Sequence, residues 1–138
     1  MERHSPNRTL FVAVGTLGAM NAGVSSPGWL MRGDDVLMAA EIAQIGRDRR
    51  VGLIGRDHLE GALVLTKCRH VHTFAMRFPI DIAMCDRSGF VLRTASIVPW
   101  RCGPLARHCS FVVEMPHGAV DRHRIVRGDQ LEIRMCAP

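Results

Sequence analysis

The feature that most limits this chain is its rhythm. From residue 29 onward, apolar residues arrive in short alternating runs broken by Gly, Asp or Pro, a pattern that feeds strands of period two. Trp29 to Arg32 and Val36 to Ala39 flank Gly33, Asp34 and Asp35 as a hairpin. Leu63 to Thr66 and Cys68 to Phe74 read as the next strands. Ile80 to Cys85 turns through Asp86 to Gly89 into Phe90 to Val98, the clearest hairpin in the chain. Ser110 to Met115 is a strand halted by Pro116. The last strand, Gln130 to Met135, follows the Gly128-Asp129 turn and sets Leu131, Ile133 and Met135 on one face. Residues 46–54 gather apolar side chains beside a charged face and predict one short helix, stopped by Gly55. Many short strands without a βαβ alternation predict a mainly β fold, a small barrel-like or sandwich domain over residues 28–138.

At 138 residues the chain has room for one domain of ordinary size, without disulfides or metal as staples. Tyr is absent and Phe scarce, so the core must rest on Val, Leu, Ile, Met and Ala. Residues 1–27 stand apart as an N-terminal extension. Arg3, His4 and Arg8 precede an apolar run from Leu10 to Met20, in the order of a signal peptide, but no A-x-A triplet follows. The run is too short to span a membrane. Met20 and Met31 are alternative starts, so an over-extended beginning is the other reading of the segment. The expectation is a cytoplasmic protein unless residues 1–27 direct export.

Of 18 basic residues only Lys67 is lysine, and the arginines run from Arg3 to Arg134. That spread, with no interleaved stacking aromatics, argues against a nucleic-acid partner. Five cysteines, an odd number without any CxxC, read as reduced and mostly buried thiols.

Four phrases carry a resemblance: RVGLIGR from Arg50 to Arg56, VHTFAMRFPID from Val71 to Asp81, VEMPHG from Val113 to Gly118, and Gly128-Asp129. In order and spacing they resemble the bacterial and archaeal family called domain of unknown function 192, from about Trp29 to Ile133. The resemblance implies a compact β-barrel-like or sandwich domain with one short helix, and no established activity. Two positions depart from the family pattern: Ala75, where members often carry Trp, and His117, where they carry an apolar or small residue.

Candidate chemistry follows from side-chain alternation. On a continuous strand Cys68, His70 and His72 would share a face and offer three metal donors, with Cys102, His108 or Cys109 as a fourth. The plainer reading is one partly buried thiol and two surface imidazoles, and no metal or cofactor is assigned. Cys68 and His72 would lie roughly 13 Å apart along such a strand, too far to act as nucleophile and base. Asp81 sits among small apolar neighbours and must be hydrogen-bonded or paired if buried, as must Glu114. Arg50, Arg56, Arg77 and Arg93 are its candidate cations. Such pairs would pin the helix and loops to the sheet. Alternatively, Arg50, Arg56, His72, Asp81 and Glu114 would converge on a polar pocket at one barrel end, binding a small ligand or a peptide terminus. No residue is assigned as catalytic. The leading expectation is a non-enzymatic binding or accessory domain, and the alternative is a metal-assisted or hydrolytic enzyme using His72 with Asp81 or a cysteine. Arg127-Gly128-Asp129 reads as a turn, and Met76 as core.

Overall fold

The computed structural model describes residues 26–43 and 57–136. In chain order it contains β1 (Ser26–Arg32), β2 (Asp35–Ala43), β3 (Ala62–Thr66), β4 (Ile80–Cys85), β5 (Val91–Ile97), β6 (Phe111–Pro116), α1 (Ala119–Arg122) and β7 (Glu132–Met135). All seven strands form one sheet in the order β5-β4-β6-β3-β2-β1-β7. The β2–β3 pair is parallel, Ala40 facing Ala62, and every other pair is antiparallel. The helix expected at 46–54 lies outside the described residues. The expected strands over 63–66, 80–85, 90–98 and 110–115 form within a residue or so of their expected bounds, whereas β1 begins three residues earlier, β2 runs four residues further and β7 begins two residues later than the alternation indicates. Gly33, Gly89 and Gly128 all adopt left-handed backbone at the turns.

Closure into a barrel does not occur. The sheet is open, with β5 and β7 as its edges. The segments leading into those edges meet at a single bridge, Phe90 to Gln130, with Val91 N–H donating to the Asp129 carbonyl at 2.8 Å and Leu131 N–H to the Gly89 carbonyl at 2.8 Å. Gly128 N–H adds a bond to the Val91 carbonyl at 2.9 Å, and regular pairing stops at the left-handed backbone of Gly89 and Gly128. Gly89 is also required by proximity, since any Cβ there would collide with the Leu131 carbonyl.

Both faces of the sheet are covered. On one, Leu30, Ile42, Val64, Ala83, Cys85, Val113, Met115 and Ile133 pack together under Ala119, Ile125 and Leu131. On the other, Leu63, Leu65, Ile80, Ile82, Met84 and Val112 lie under Val71, Met76 and Cys109. Strand β4 is therefore buried at every position, which is why its sequence reads as an almost unbroken apolar run. The cover of the second face is made by two long connections, 67–79 between β3 and β4 and 98–110 between β5 and β6.

The strand expected over Cys68 to Phe74 is not formed. Lys67 turns to a φ of 52°, and the Cys68 thiol donates to the His70 carbonyl at 3.1 Å. Cys68 is buried while His70 and His72 are exposed, so the shared donor face is lost. Among the described residues, no three His, Cys, Asp or Glu side chains gather closely enough to hold a metal ion. Among the same residues, no helix is long and apolar enough to cross a membrane.

Candidate functional site

Asp81 is almost wholly buried in β4, on the same face as Ala83 and Cys85. Its register neighbour Ser96 donates a hydroxyl to Oδ1 at 2.7 Å. The backbone N–H groups of Gly118 and Val120 each donate to Oδ2 at 3.0 Å, and His117 Nδ1 lies 3.3 Å from Oδ1. N–H groups at the start of a helix lack partners within it, so Asp81 caps α1 from a different strand. Among the described residues the donors to this carboxylate are amides and a hydroxyl beside an imidazole, and no guanidinium. Arg77 instead pairs with Asp57 at 3.0 Å, and Arg93 donates to the Leu105 carbonyl at 3.5 Å. Arg50 and Arg56 lie outside the described residues.

Glu114 faces the other way. On β6 it sits across from Ile82 and Leu63, whereas Asp81 sits across from Met115. Alternation then sends the two carboxylates to opposite faces of the sheet, and they share no pocket. Burial against the apolar face pushes the Glu114 carboxyl up to about 7.

His72 lies with neither. It is on the 67–79 connection, on the surface of the cover. The Phe74 N–H donates to its Nδ1 at 3.3 Å, and its ring stacks on Phe74 with centroids 4.8 Å apart. Phe74 in turn meets Trp100 at 6.3 Å. The pairing of His72 with Asp81 that a hydrolytic mechanism needs is absent, because the imidazole beside Asp81 belongs to His117.

What holds this row of rings is Thr73, fully buried between them. Its hydroxyl donates to the Val98 carbonyl at 2.6 Å and accepts from the Arg101 N–H at 2.9 Å. Its own N–H reaches the Arg101 carbonyl at 2.8 Å, and its carbonyl accepts the Trp100 N–H at 2.9 Å. One side chain and one peptide unit thus tie the two connections together. Trp100 is held at a φ of 63° and Ala75 at 62°, left-handed conformations that cost a bulky residue roughly 1–3 kcal/mol. The Thr73 contacts over-determine that backbone. The result is an exposed Trp100, 61% accessible, fixed rather than buried.

The charge of this cover is one-sided. Lys67, Arg69, Arg77, Arg101 and Arg107 lie on residues 67–79 and 98–110, with no Asp or Glu on either connection. The chain carries 18 basic and 13 acidic residues, so the remaining 13 basic residues balance all 13 acids. The whole formal excess of +5 therefore falls on two connections. The arginines alone look scattered; only the missing acids reveal the concentration. Trp100 and Thr73 were legible only as a Trp in a Pro- and Gly-rich loop and a Thr between aromatics.

Fold and site together define a small, mainly β domain with an open seven-stranded sheet and a cationic, aromatic-bearing cover. Residues 30–133 match the family DUF192, described as an uncharacterized ACR, and the chain belongs to that family. No curated protein matches the sequence. Two solved structures are similar. One is a protein of Sinorhizobium meliloti 1021 described as a "putative transcription regulator", with a TM-score of 0.67 and 18% identity over 80% of this chain and 94% of that one. The other is a protein of unknown function from Novosphingobium aromaticivorans DSM 12444, with a TM-score of 0.66 and 19% identity over 84% and 96%. At that identity the likeness extends to the fold.

Proposed function

We propose that this chain is a non-enzymatic binding domain that takes an acidic peptide segment of a partner protein across its two-connection cover. The observation that carries the reading is the charge distribution: residues 67–79 and 98–110 hold five basic residues and no acid, and the same two connections bear the exposed rings of Phe74 and Trp100. Cations draw an acidic chain in and the rings give its apolar side chains a surface, the division of labour found in many peptide-binding faces. A peptide suits the spread of these groups over two connections better than a compact ligand does. Of the five residues first grouped as a site, His72 stays in it, Glu114 lies on the covered face beneath, and Asp81 acts as a clamp on the far side.

Fluorescence tests the reading. In a Trp29→Phe variant Trp100 is the only indole, and it is titrated with a peptide alternating Glu and Phe, then with one alternating Gln and Phe. The acidic peptide should give a saturable change that fades near 1 M salt, where the Debye length is about 3 Å, and that Arg101→Glu abolishes. Equal responses to both peptides, or none, would refute the proposal.

A further inference from the structure

His72 and Cys102 form an isolated antiparallel bridge. The hydrogen bonds flank the pair rather than join it: Thr73 N–H to the Arg101 carbonyl on one side, and Gly103 N–H to the Val71 carbonyl at 2.7 Å on the other. In such a pair the Cα atoms approach to about 4.5 Å and the two side chains stand together on one face. Both residues are exposed, so folding assembles a solvent-facing thiol–imidazole pair from positions thirty residues apart. The separation of Cys68 from His72 gave no hint of it.

We propose that Cys102 is a site of thiol–disulfide exchange with small carboxylate-bearing disulfides, and that His72 positions the reaction. The Phe74 N–H occupies His72 Nδ1, which leaves Nε2 as the N–H nitrogen of the neutral ring. That N–H is available to the departing sulfur. Arg101, adjacent in sequence, and the other cations of the cover draw a negatively charged disulfide to the thiol. The Cys102 sulfur attacks one sulfur of the disulfide R–S–S–R. A protein–S–S–R bond forms, the R–S–S–R bond breaks, the R–S⁻ thiolate departs, and the proton that Cys102 gave up stays in solvent or is taken up by that thiolate. No further oxidant enters.

The other thiols make the contrast internal. Cys68, Cys85 and Cys109 are buried, and burial pushes the thiols of Cys85 and Cys109 up, away from the reactive form. Cys136 is exposed like Cys102 but lies just beyond β7, outside the cationic cover. This inference does not depend on the peptide reading, because it needs only the bridge and the local charge.

The test follows release of the coloured thiolate from dithiobis(nitrobenzoate), an anionic disulfide, by the full chain. Cys136→Ser leaves Cys102 as the exposed thiol, and Cys102→Ser leaves Cys136. Cys102 should react at least about tenfold faster, and the advantage should shrink with salt, as it does for steered encounters. His72→Ala should slow Cys102 about fivefold, the worth of roughly one hydrogen bond, while His72→Gln, which keeps an N–H donor, should recover most of the rate. Peptide mass spectrometry assigns the adduct. Cys102 no faster than Cys136, or a rate indifferent to His72→Ala in a protein of unchanged circular dichroism, overturns the proposal.

Discussion

Replacing Glu114 with Gln should change how stability depends on pH, and in a known direction. In the unfolded chain the carboxyl titrates near 4.5, and in the folded protein burial raises it to about 7. Between those values the unfolded state has released its proton while the native state keeps it, so unfolding releases a proton and stability falls as pH rises. Below 4.5 both states are protonated and nothing is lost. Above 7 the buried carboxylate must ionise, and the full gap, about 3 kcal/mol at 1.36 kcal/mol per pH unit, is missing from the native state. Glu114→Gln keeps the shape and the hydrogen-bonding capacity and removes the titration. Urea unfolding of both proteins from pH 4 to 8 gives the difference in free energy, in which all other titrating groups cancel. That difference should be near zero at the acid end and should favour the variant by about 3 kcal/mol at pH 8. Parallel curves, or a variant that loses ground as pH rises, would refute the assignment of Glu114 to the apolar face.

Three further outcomes follow from the same structure. Thr73→Val keeps the volume but strips the hydroxyl from Val98 and Arg101; it should cost about 1–3 kcal/mol in urea unfolding and speed amide exchange at residues 98–103 selectively. Asp81→Ala orphans the Ser96 hydroxyl and the N–H groups of Gly118 and Val120, and should destabilise by about 3 kcal/mol or more, while His117→Ala, on the exposed arm of the same cluster, should cost under about 1 kcal/mol. Gly89→Ala meets both a left-handed backbone and the Leu131 carbonyl, so thermal unfolding should drop well below that of the matched Gly33→Ala, where no atom lies within 4 Å of the new Cβ.

How much of this was legible depended on whether one strand sufficed to explain a residue. Ile80 to Cys85 could be read as a strand because each of its side chains is answered by a neighbour of the same period, and Asp81 stood out as the one residue that needed a partner. What satisfied it could not be read, since Gly118 and Val120 reach it only through the chain reversal after Pro116, and α1 is too short at four residues to show a helical period. Of the two architectures expected, barrel-like or sandwich, closure is the one that did not form, for a related reason. Alternation fixes faces but not which strands become edges, and that was decided by glycines at 89 and 128. Cys68, His70 and His72 misled because the chain bends at Arg69, where the Cys68 thiol reaches the His70 carbonyl, and the extended phase on which their alignment rested is lost. The Cys102–His72 pair and the Thr73 tie are long-range consequences of two connections folding over one face, and nothing local announces either.

The central claim, that the cover is where this domain meets an acidic partner, is tested most directly by mapping backbone amide shifts of the labelled chain during titration with the Glu–Phe peptide. The perturbed amides should cluster on residues 67–79 and 98–110, strongest near Phe74 and Arg101, and leave the α1 face silent. Shifts centred on Asp81, His117 and Gly118, or spread evenly over the sheet, would contradict it.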